Sequence, residues 1–106
     1  MDIIIQSLGF TIGKELDSFI MDKVASLKGD KIVRANVTLF KGPASNPESD
    51  YCEIRLEVPG NDHFVKKASD VFEQAVTECT DALQKIIRRA KDKQISNRHV
   101  EPELPE

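Results

Sequence analysis

The spacing of hydrophobic residues along this chain alternates between a period of two and a period of about 3.6. A period of two puts alternate side chains on one face of a β-strand, and the longer period puts them on one face of an α-helix. Strand-like segments are 2–8, 32–41, 51–58 and 63–67, and helical segments are 11–28 and 69–93. The predicted element order is therefore β-α-β-β-β-α.

A two-layer α+β domain buries this pattern economically, because a four-stranded sheet can carry both helices on one face and leave its other face wet. The isoleucines at positions 3–5 predict a first strand that is buried on both faces. The alternation in the second strand predicts that Val33 faces the core. Thr11 and Ser69 stand at the starts of the helical segments, and we expect both to be N-caps.

The length predicts one small domain, which we place at residues 1–95. Residues 96–106 are polar, contain Pro102 and Pro105 and have no periodicity, which predicts a flexible acidic tail. A last helix of about 25 residues would reach roughly 37 Å at the usual rise of a helix. We therefore expect its C-terminal end to project past the sheet.

Several classes of protein and site are not indicated. No apolar run approaches the roughly 20 residues of a membrane helix, and the N-terminus does not resemble a signal peptide, so we expect a cytoplasmic protein without a membrane partner. Cys52 and Cys79 are expected to be buried, reduced thiols, and with His63 and His99 they do not have the spacing of a metal site. No residue pattern indicates an enzyme, a small-molecule substrate or a cofactor.

The charge is distributed unevenly. The net charge of −3 argues at first against a nucleic-acid partner. Residues 84–98, however, contain six basic residues and one acidic residue, and three more acidic residues follow them. An acidic body therefore holds one concentrated basic end.

Helical geometry places Lys85, Arg88 and Arg89 on the face opposite the apolar stripe. Lys91 and Lys93 fall on the flanks of that stripe. Cations near a helix C-terminus complement the helix dipole, and a charged run is commonly a solvated face. Lysine and arginine aligned along a helix also suit phosphate groups. The residues alone are compatible with a solvated face and with an anionic partner.

Lys23 lies within the apolar stripe of the first helix, seven residues after Leu16. A lysine there can pack its stem against apolar neighbours while its amine reaches water. That explanation is sufficient unless an anionic partner lies beside the helix.

Four features occur together in residues 1 to about 93: the element order, segment 3–7 followed by 10–12, the run 21–27, and a last helix with Ala75-Val76 and a basic end. In these features the chain resembles the short ribosome hibernation-promoting factors and ribosome-associated inhibitors, also known as sigma-54 modulation proteins. Thr77 and Ile86 depart from the residues that this family often has.

The resemblance implies a non-enzymatic protein that binds 16S rRNA in the decoding channel of the small ribosomal subunit, alone or in the 70S ribosome. Such a protein blocks initiation when growth slows, and we expect it to be monomeric in solution. By carry-over, the rRNA contacts would be Lys23, Lys85, Arg88, Arg89, Lys91 and Lys93. Secondary contacts would be Arg34, Lys66 and Lys67. Lys23 would then emerge between the helices beside the basic end.

Other functions stay open at this point. The chain could be a protein–protein module such as a sigma-factor modulator, or a general RNA-binding domain. With one tyrosine and no tryptophan, stacking of bases on the sheet is not expected. The sequence also leaves open whether such a factor promotes 100S dimers or inactive 70S monomers.

Overall fold

The computed structural model describes residues 1–29 and 31–100, with side chains described as far as Lys91. The elements are β1 (Asp2–Leu8), α1 (Lys14–Ala25), β2 (Arg34–Lys41), β3 (Asp50–Glu57), β4 (His63–Ser69) and α2 (Phe72–Val100). The order is the predicted β-α-β-β-β-α, and the fold is α+β. Within the described residues, neither helix has the length and apolar character needed to cross a membrane.

The four strands form one sheet in the order β1-β2-β3-β4. β1 and β2 are parallel, whereas β2 with β3 and β3 with β4 are antiparallel. A parallel pair needs a crossover, which α1 supplies, while the antiparallel pairs need only short connections. β1 and β4 are consequently the two edges of the sheet.

One face of the sheet carries both helices. The central strands contribute six fully buried side chains to this face: Ala35, Val37, Leu39, Cys52, Ile54 and Leu56. They meet buried side chains of α1 and α2 in a single cluster, which includes Ile20, Val24, Val76, Cys79 and Leu83. Burying one large aliphatic side chain of this kind contributes about 1.5–3 kcal/mol. The predicted two-layer arrangement is confirmed.

The two helices run side by side in the same direction. Near their starts, the rings of Phe10 and Phe72 stack with centroids 5.0 Å apart. Near the end of α1, the side chain of Gln84 in α2 is hydrogen-bonded to the backbone of Lys28. The C-terminal end of α1 therefore lies against the middle of α2.

The helix α2 has 29 residues and α1 has 12. Ala90 has the spacing of the apolar stripe of α2 but is exposed, because α2 has by then left the core. The helix continues to Val100 rather than ending near Lys93, and so includes part of the segment predicted to be a tail. Residues 101–106 of that segment lie outside the described residues.

Both predicted N-caps are wrong. The N-cap of α1 is Gly13, which makes no side-chain capping bond, so Thr11 precedes the cap. Ser69 pairs with Asp50 at the end of β4, and α2 begins only at Phe72. Ser69 is thus the last residue of β4, and α2 starts too far along the chain for Ser69 to cap it.

Two predicted burial patterns are also wrong. In β1, Ile4 is 43% exposed, because this edge strand has helices on one face only. Val33 is 53% exposed, because β2 begins after it at Arg34. Short β-branched runs do not distinguish a strand with one buried face from a strand with two.

Candidate nucleic-acid interface

The end of α1 is attached to α2 by one amide side chain. The backbone N–H of Lys28 donates to Oε1 of Gln84 at 2.9 Å, and Nε2 of Gln84 donates to the Lys28 carbonyl at 2.9 Å. Both polar groups of the Lys28 backbone are therefore satisfied by one residue. Such paired bonds fix a segment in position and orientation, whereas a single bond leaves it free to rotate.

The next residue brings the two segments into close contact. A Cβ placed on Gly29 would lie 2.8 Å from Cγ2 of Ile87, which is closer than side-chain atoms pack. Glycine at position 29 thus allows the chain after α1 to lie directly on α2. The close contact with Ile87 is made at Gly29, and the hydrogen bonds with Gln84 are made at Lys28, the residue before it.

An open groove of about 480 Å³ lies where these segments meet. Its lining residues are Ser26, Lys28, Gly29, Gln84, Ile87, Arg88 and Lys91. Three of these described residues are cationic and none is acidic. Like charges placed together destabilise a fold slightly, so an anion that enters the groove would relieve that repulsion. We refer to Lys28, Arg88 and Lys91 as the groove cations.

The predicted cations of α2 separate onto two faces. Gln84, Ile87, Arg88 and Lys91 follow the spacing of one helix face, and this face lines the groove. Arg88 was expected on the face opposite the apolar stripe; it is exposed as expected, and it also lines the groove. The stripe becomes narrow after Leu83, so residues beside Ile87 already border solvent.

Lys85 and Arg89 are four residues apart and exposed, and neither lines the groove. They extend the positive surface around α2 on a second face. Lys93 belongs to α2, and its side chain lies outside the described residues.

Lys23 is half-buried on α1 and is not one of the groove-lining residues. Its ammonium lies 5.8 Å from the ring centroid of Phe19, one turn earlier in the helix. Helical side chains lean toward the N-terminus, which accounts for this contact. The structure therefore does not place Lys23 in the groove between the helices, where it was expected.

The predicted secondary contacts lie on the sheet. Arg34 makes an ion pair with Glu57 at 3.3 Å, and Lys66 makes one with Glu53 at 3.8 Å. Lys67 is exposed on edge strand β4. None of the three lines the groove, and the two ion pairs lie on the sheet face opposite the helices.

Sequence reasoning missed Lys28 and Gln84. Neither residue was singled out, because a lysine at the end of α1 is explained by the helix dipole and Gln84 carries no charge. The local signal was the Lys28-Gly29 pair at the end of a helix, but its partner lies 56 positions along the chain.

The open sheet face carries more aromatic surface than expected. The rings of Phe40 and Tyr51 stack at 5.0 Å with an interplanar angle of 3°. The ammonium of Lys66 lies 5.5 Å and 5.3 Å from these two ring centroids. Phe64, on the same face, is 52% exposed. Strand pairing places aromatic residues that are far apart in the sequence on one face of the sheet.

Two side chains away from the groove, Glu57 and Cys52, have shifted pKa values. A hydrogen bond from Asn36, together with the charge of Arg34, holds the pKa of Glu57 below its usual value. The neighbouring thiol of Cys79 and burial raise the pKa of Cys52 far above its usual range. In the part of the chain with described side chains, no cluster of residues has the composition of a metal site. The buried thiols agree with the prediction.

The residues match a family model described as sigma 54 modulation protein / S30EA ribosomal protein, and the match covers residues 3–95. The chain belongs to this family. The match includes both helices as far as Ile95 and therefore the whole groove, and it confirms the resemblance predicted from the sequence.

Solved structures show the fold of the family. A ribosomal subunit interface protein from Coxiella burnetii has a TM-score of 0.77 at 17% identity, covering 87% of this chain and 99% of that chain. The N-terminal domain of Protein Y from Thermus thermophilus has a TM-score of 0.71 at 22% identity, covering 84% of this chain and 98% of that domain. No curated protein sequence matches the chain.

Proposed function

We propose that this protein binds the small ribosomal subunit through 16S rRNA in the decoding channel and blocks initiation in slowly growing or stressed cells. The observation that carries the proposal is the groove at the end of α1, where three cations and no acidic residue line one concave surface of an otherwise acidic chain. Family membership supports the same conclusion, since its description names a ribosomal protein.

The binding energy would come from phosphate contacts and shape. Each lysine or arginine that neutralises a phosphate releases counterions, which favours binding at low salt. Helical RNA is recognised largely through its backbone and its shape. The groove cations, with Lys85 and Arg89 on the adjacent face, would contact the RNA backbone from two sides of α2. Lys23 would contribute only after its ammonium leaves the ring of Phe19.

Occupation of the decoding channel is tested by competition. The labelled protein is bound to purified small subunits, and mRNA with initiator tRNA is then added in increasing amounts. We expect the ligands to displace the protein and the protein, in excess, to inhibit formation of the initiation complex. Simultaneous binding of all three would contradict the decoding-channel location while leaving ribosome binding intact.

A protein–protein function is the second candidate, and the open sheet face favours it. Stacked Phe40 and Tyr51 and the exposed Phe64 lie on the sheet face that the helices do not cover. The sigma 54 modulation named in the family description is a function of that kind. Recovery of a transcription factor and no ribosomes in a pull-down from cells, lost in Phe64→Ser but kept in Arg88→Glu, would favour this alternative.

The third candidate is a general RNA-binding domain, which would bind messages or tRNA as tightly as ribosomes. Comparing the affinities for 30S subunits and for unrelated RNA at one salt concentration separates this candidate from the proposal.

We propose a cytoplasmic, monomeric protein with a ribosome-binding domain at residues 1–95 and an acidic segment at 96–106. Deleting residues 96–106 and adding each form of the protein to ribosomes tests the role of that segment. A 100S peak with the full chain would indicate a dimer-promoting factor. A 70S peak that the deletion converts to 100S would indicate that the acidic segment prevents dimerisation.

A further inference from the structure

We infer that Gln84 is a positioning residue for Lys28, and that it acts on the proposed RNA contact without touching the RNA itself. The inference rests on the proposed function, because it assigns a role within the same groove. Gln84 carries no charge, and one N–H and one oxygen lone pair of its amide are engaged by the backbone of Lys28. We assign its contribution to binding to the segment that it holds.

The segment needs such support. α1 ends at Ala25, its C-cap is Ser26, and Lys28 follows as an exposed residue outside the helix. Leu27 is buried and anchors the chain just before Lys28. Without the Gln84 hydrogen bonds, the Lys28 backbone would exchange its two partners for water and its cation would sample a wider volume.

The position of Gln84 in α2 determines which cations Lys28 is held beside. Arg88 and Lys91 follow it by four and seven residues, so all three lie on one helix face. By fixing Lys28 against this face, Gln84 brings a cation from α1 beside two cations from α2. Gly29 completes the attachment, because its lack of a side chain permits the contact with Ile87.

Preorganisation of this kind raises affinity by reducing the ordering that binding must otherwise impose. Ordering one long side chain on binding corresponds to a loss of affinity of about two- to tenfold. The loss should disappear when Lys28 has no charge to position. A double-mutant cycle between positions 84 and 28 therefore tests the inference.

The variants are Gln84→Met, which keeps the length of the side chain and removes both hydrogen bonds, Lys28→Gln, and the double variant. Gln74→Ala is the matched control, because Gln74 is an exposed α2 amide hydrogen-bonded to Glu78 of the same helix. Affinity for 30S subunits and retention on heparin, a polyanion, are measured for each variant, with urea unfolding as the check on folding.

We expect Gln84→Met to lower both readouts in the otherwise unchanged protein, and to change them less than about twofold in the Lys28→Gln background. Gln74→Ala should change neither. Equal losses in both backgrounds, or no loss in either, would overturn the positioning role. If the unchanged protein binds heparin with this coupling but does not bind 30S subunits, the proposed function fails and the positioning role stands.

Discussion

At the scale of single residues, the Glu57 carboxylate shows how partners on neighbouring strands set a titration. Asn36 donates to it at 2.7 Å, and the Arg34 guanidinium lies 3.3 Å from both of its oxygens. These partners favour the charged form and lower the pKa of Glu57. A pKa that is lower in the folded state gives stability above the unfolded value, and that stability is lost as the pH falls through the folded value.

Replacing Asn36 by Ala should therefore raise the pKa of Glu57 toward its usual 4.5, since Asn36 is the largest cause of its depression. We expect the variant to lose less stability than the unchanged protein between pH 5 and pH 3. Urea unfolding across that range and NMR titration of Glu57 measure the two effects. An unchanged Glu57 titration would contradict the assigned cause.

The two cysteines are a second residue-scale case. Both are fully buried, and the thiol of Cys79 donates to the carbonyl of Cys52 at 3.2 Å. The raised pKa of Cys52 keeps its thiol protonated, and the thiolate is the reactive form. We expect no reaction of the folded protein with a thiol-specific disulfide reagent at pH 8, and reaction of both thiols in urea. Rapid release of one equivalent of the reagent's thiol product by the folded protein would contradict this burial.

The sequence alone could predict the burial of these thiols, but it could not predict the hydrogen bonds between Lys28 and Gln84. Alternation in β3 and the helical period of α2 point Cys52 and Cys79 inward, because local geometry decides that direction. The Lys28–Gln84 hydrogen bonds join residues 56 positions apart, and only the packing of α1 on α2 brings them together. Local periodicity contains no information about such a pair.

At the scale of elements, the order and type of all six elements were predictable, while their ends and exposed faces were less so. The hydrophobic period defined each helix and strand. The last residues of β4 and the exposed face of β1 depend on strand pairing and on sheet order. Lys23 was similarly placed by sequence in the groove, whereas the side chain follows its own helix back to Phe19.

The close contact of α1 with α2 gives a prediction at this scale. Gly29→Ala should destabilise the protein by about 1 kcal/mol, because the added methyl group would overlap the Cγ2 methyl of Ile87 and force this branched side chain to shift. Gly13→Ala is the control for the overlap, since no heavy atom lies within 4 Å of a Cβ there, and its own small effect comes from the N-cap position. Urea unfolding followed by circular dichroism measures both.

Ile87→Ala removes the methyl group that Gly29→Ala would meet, so the cost of Gly29→Ala should fall in that background. An equal cost in both backgrounds would show that the destabilisation arises elsewhere.

At the scale of the whole molecule, the charge distribution decides what kind of binder the protein can be. The chain has 15 basic and 18 acidic residues, and the positive charge is concentrated at the end of α2 and in the groove. An acidic body is repelled by nucleic acid, so the proposed RNA binding would depend on a few cations in a fitting shape. General positive charge does not supply the affinity.

We therefore expect weak binding to unrelated RNA, lost at moderate salt while binding to 30S subunits persists. A titration with potassium chloride against 30S subunits and against a duplex RNA of random sequence measures the difference. Equal affinities for 30S subunits and for the duplex RNA would favour the general RNA-binding alternative.

We propose that the basic end of α2 attaches this protein to the ribosome. The most direct test is the affinity for 30S and 70S particles, measured by co-sedimentation at low salt. The variant is Arg88→Glu/Arg89→Glu, and the control is Lys14→Glu/Arg55→Glu, which makes the same change in charge at exposed positions outside the groove. Two reversed phosphate contacts should weaken binding by at least about tenfold and reduce its salt dependence.

We expect the unchanged protein and the Lys14→Glu/Arg55→Glu control to co-sediment with both particles, and Arg88→Glu/Arg89→Glu not to do so. Undiminished co-sedimentation of Arg88→Glu/Arg89→Glu would contradict the assigned interface, and failure of the unchanged protein to co-sediment would contradict ribosome binding itself.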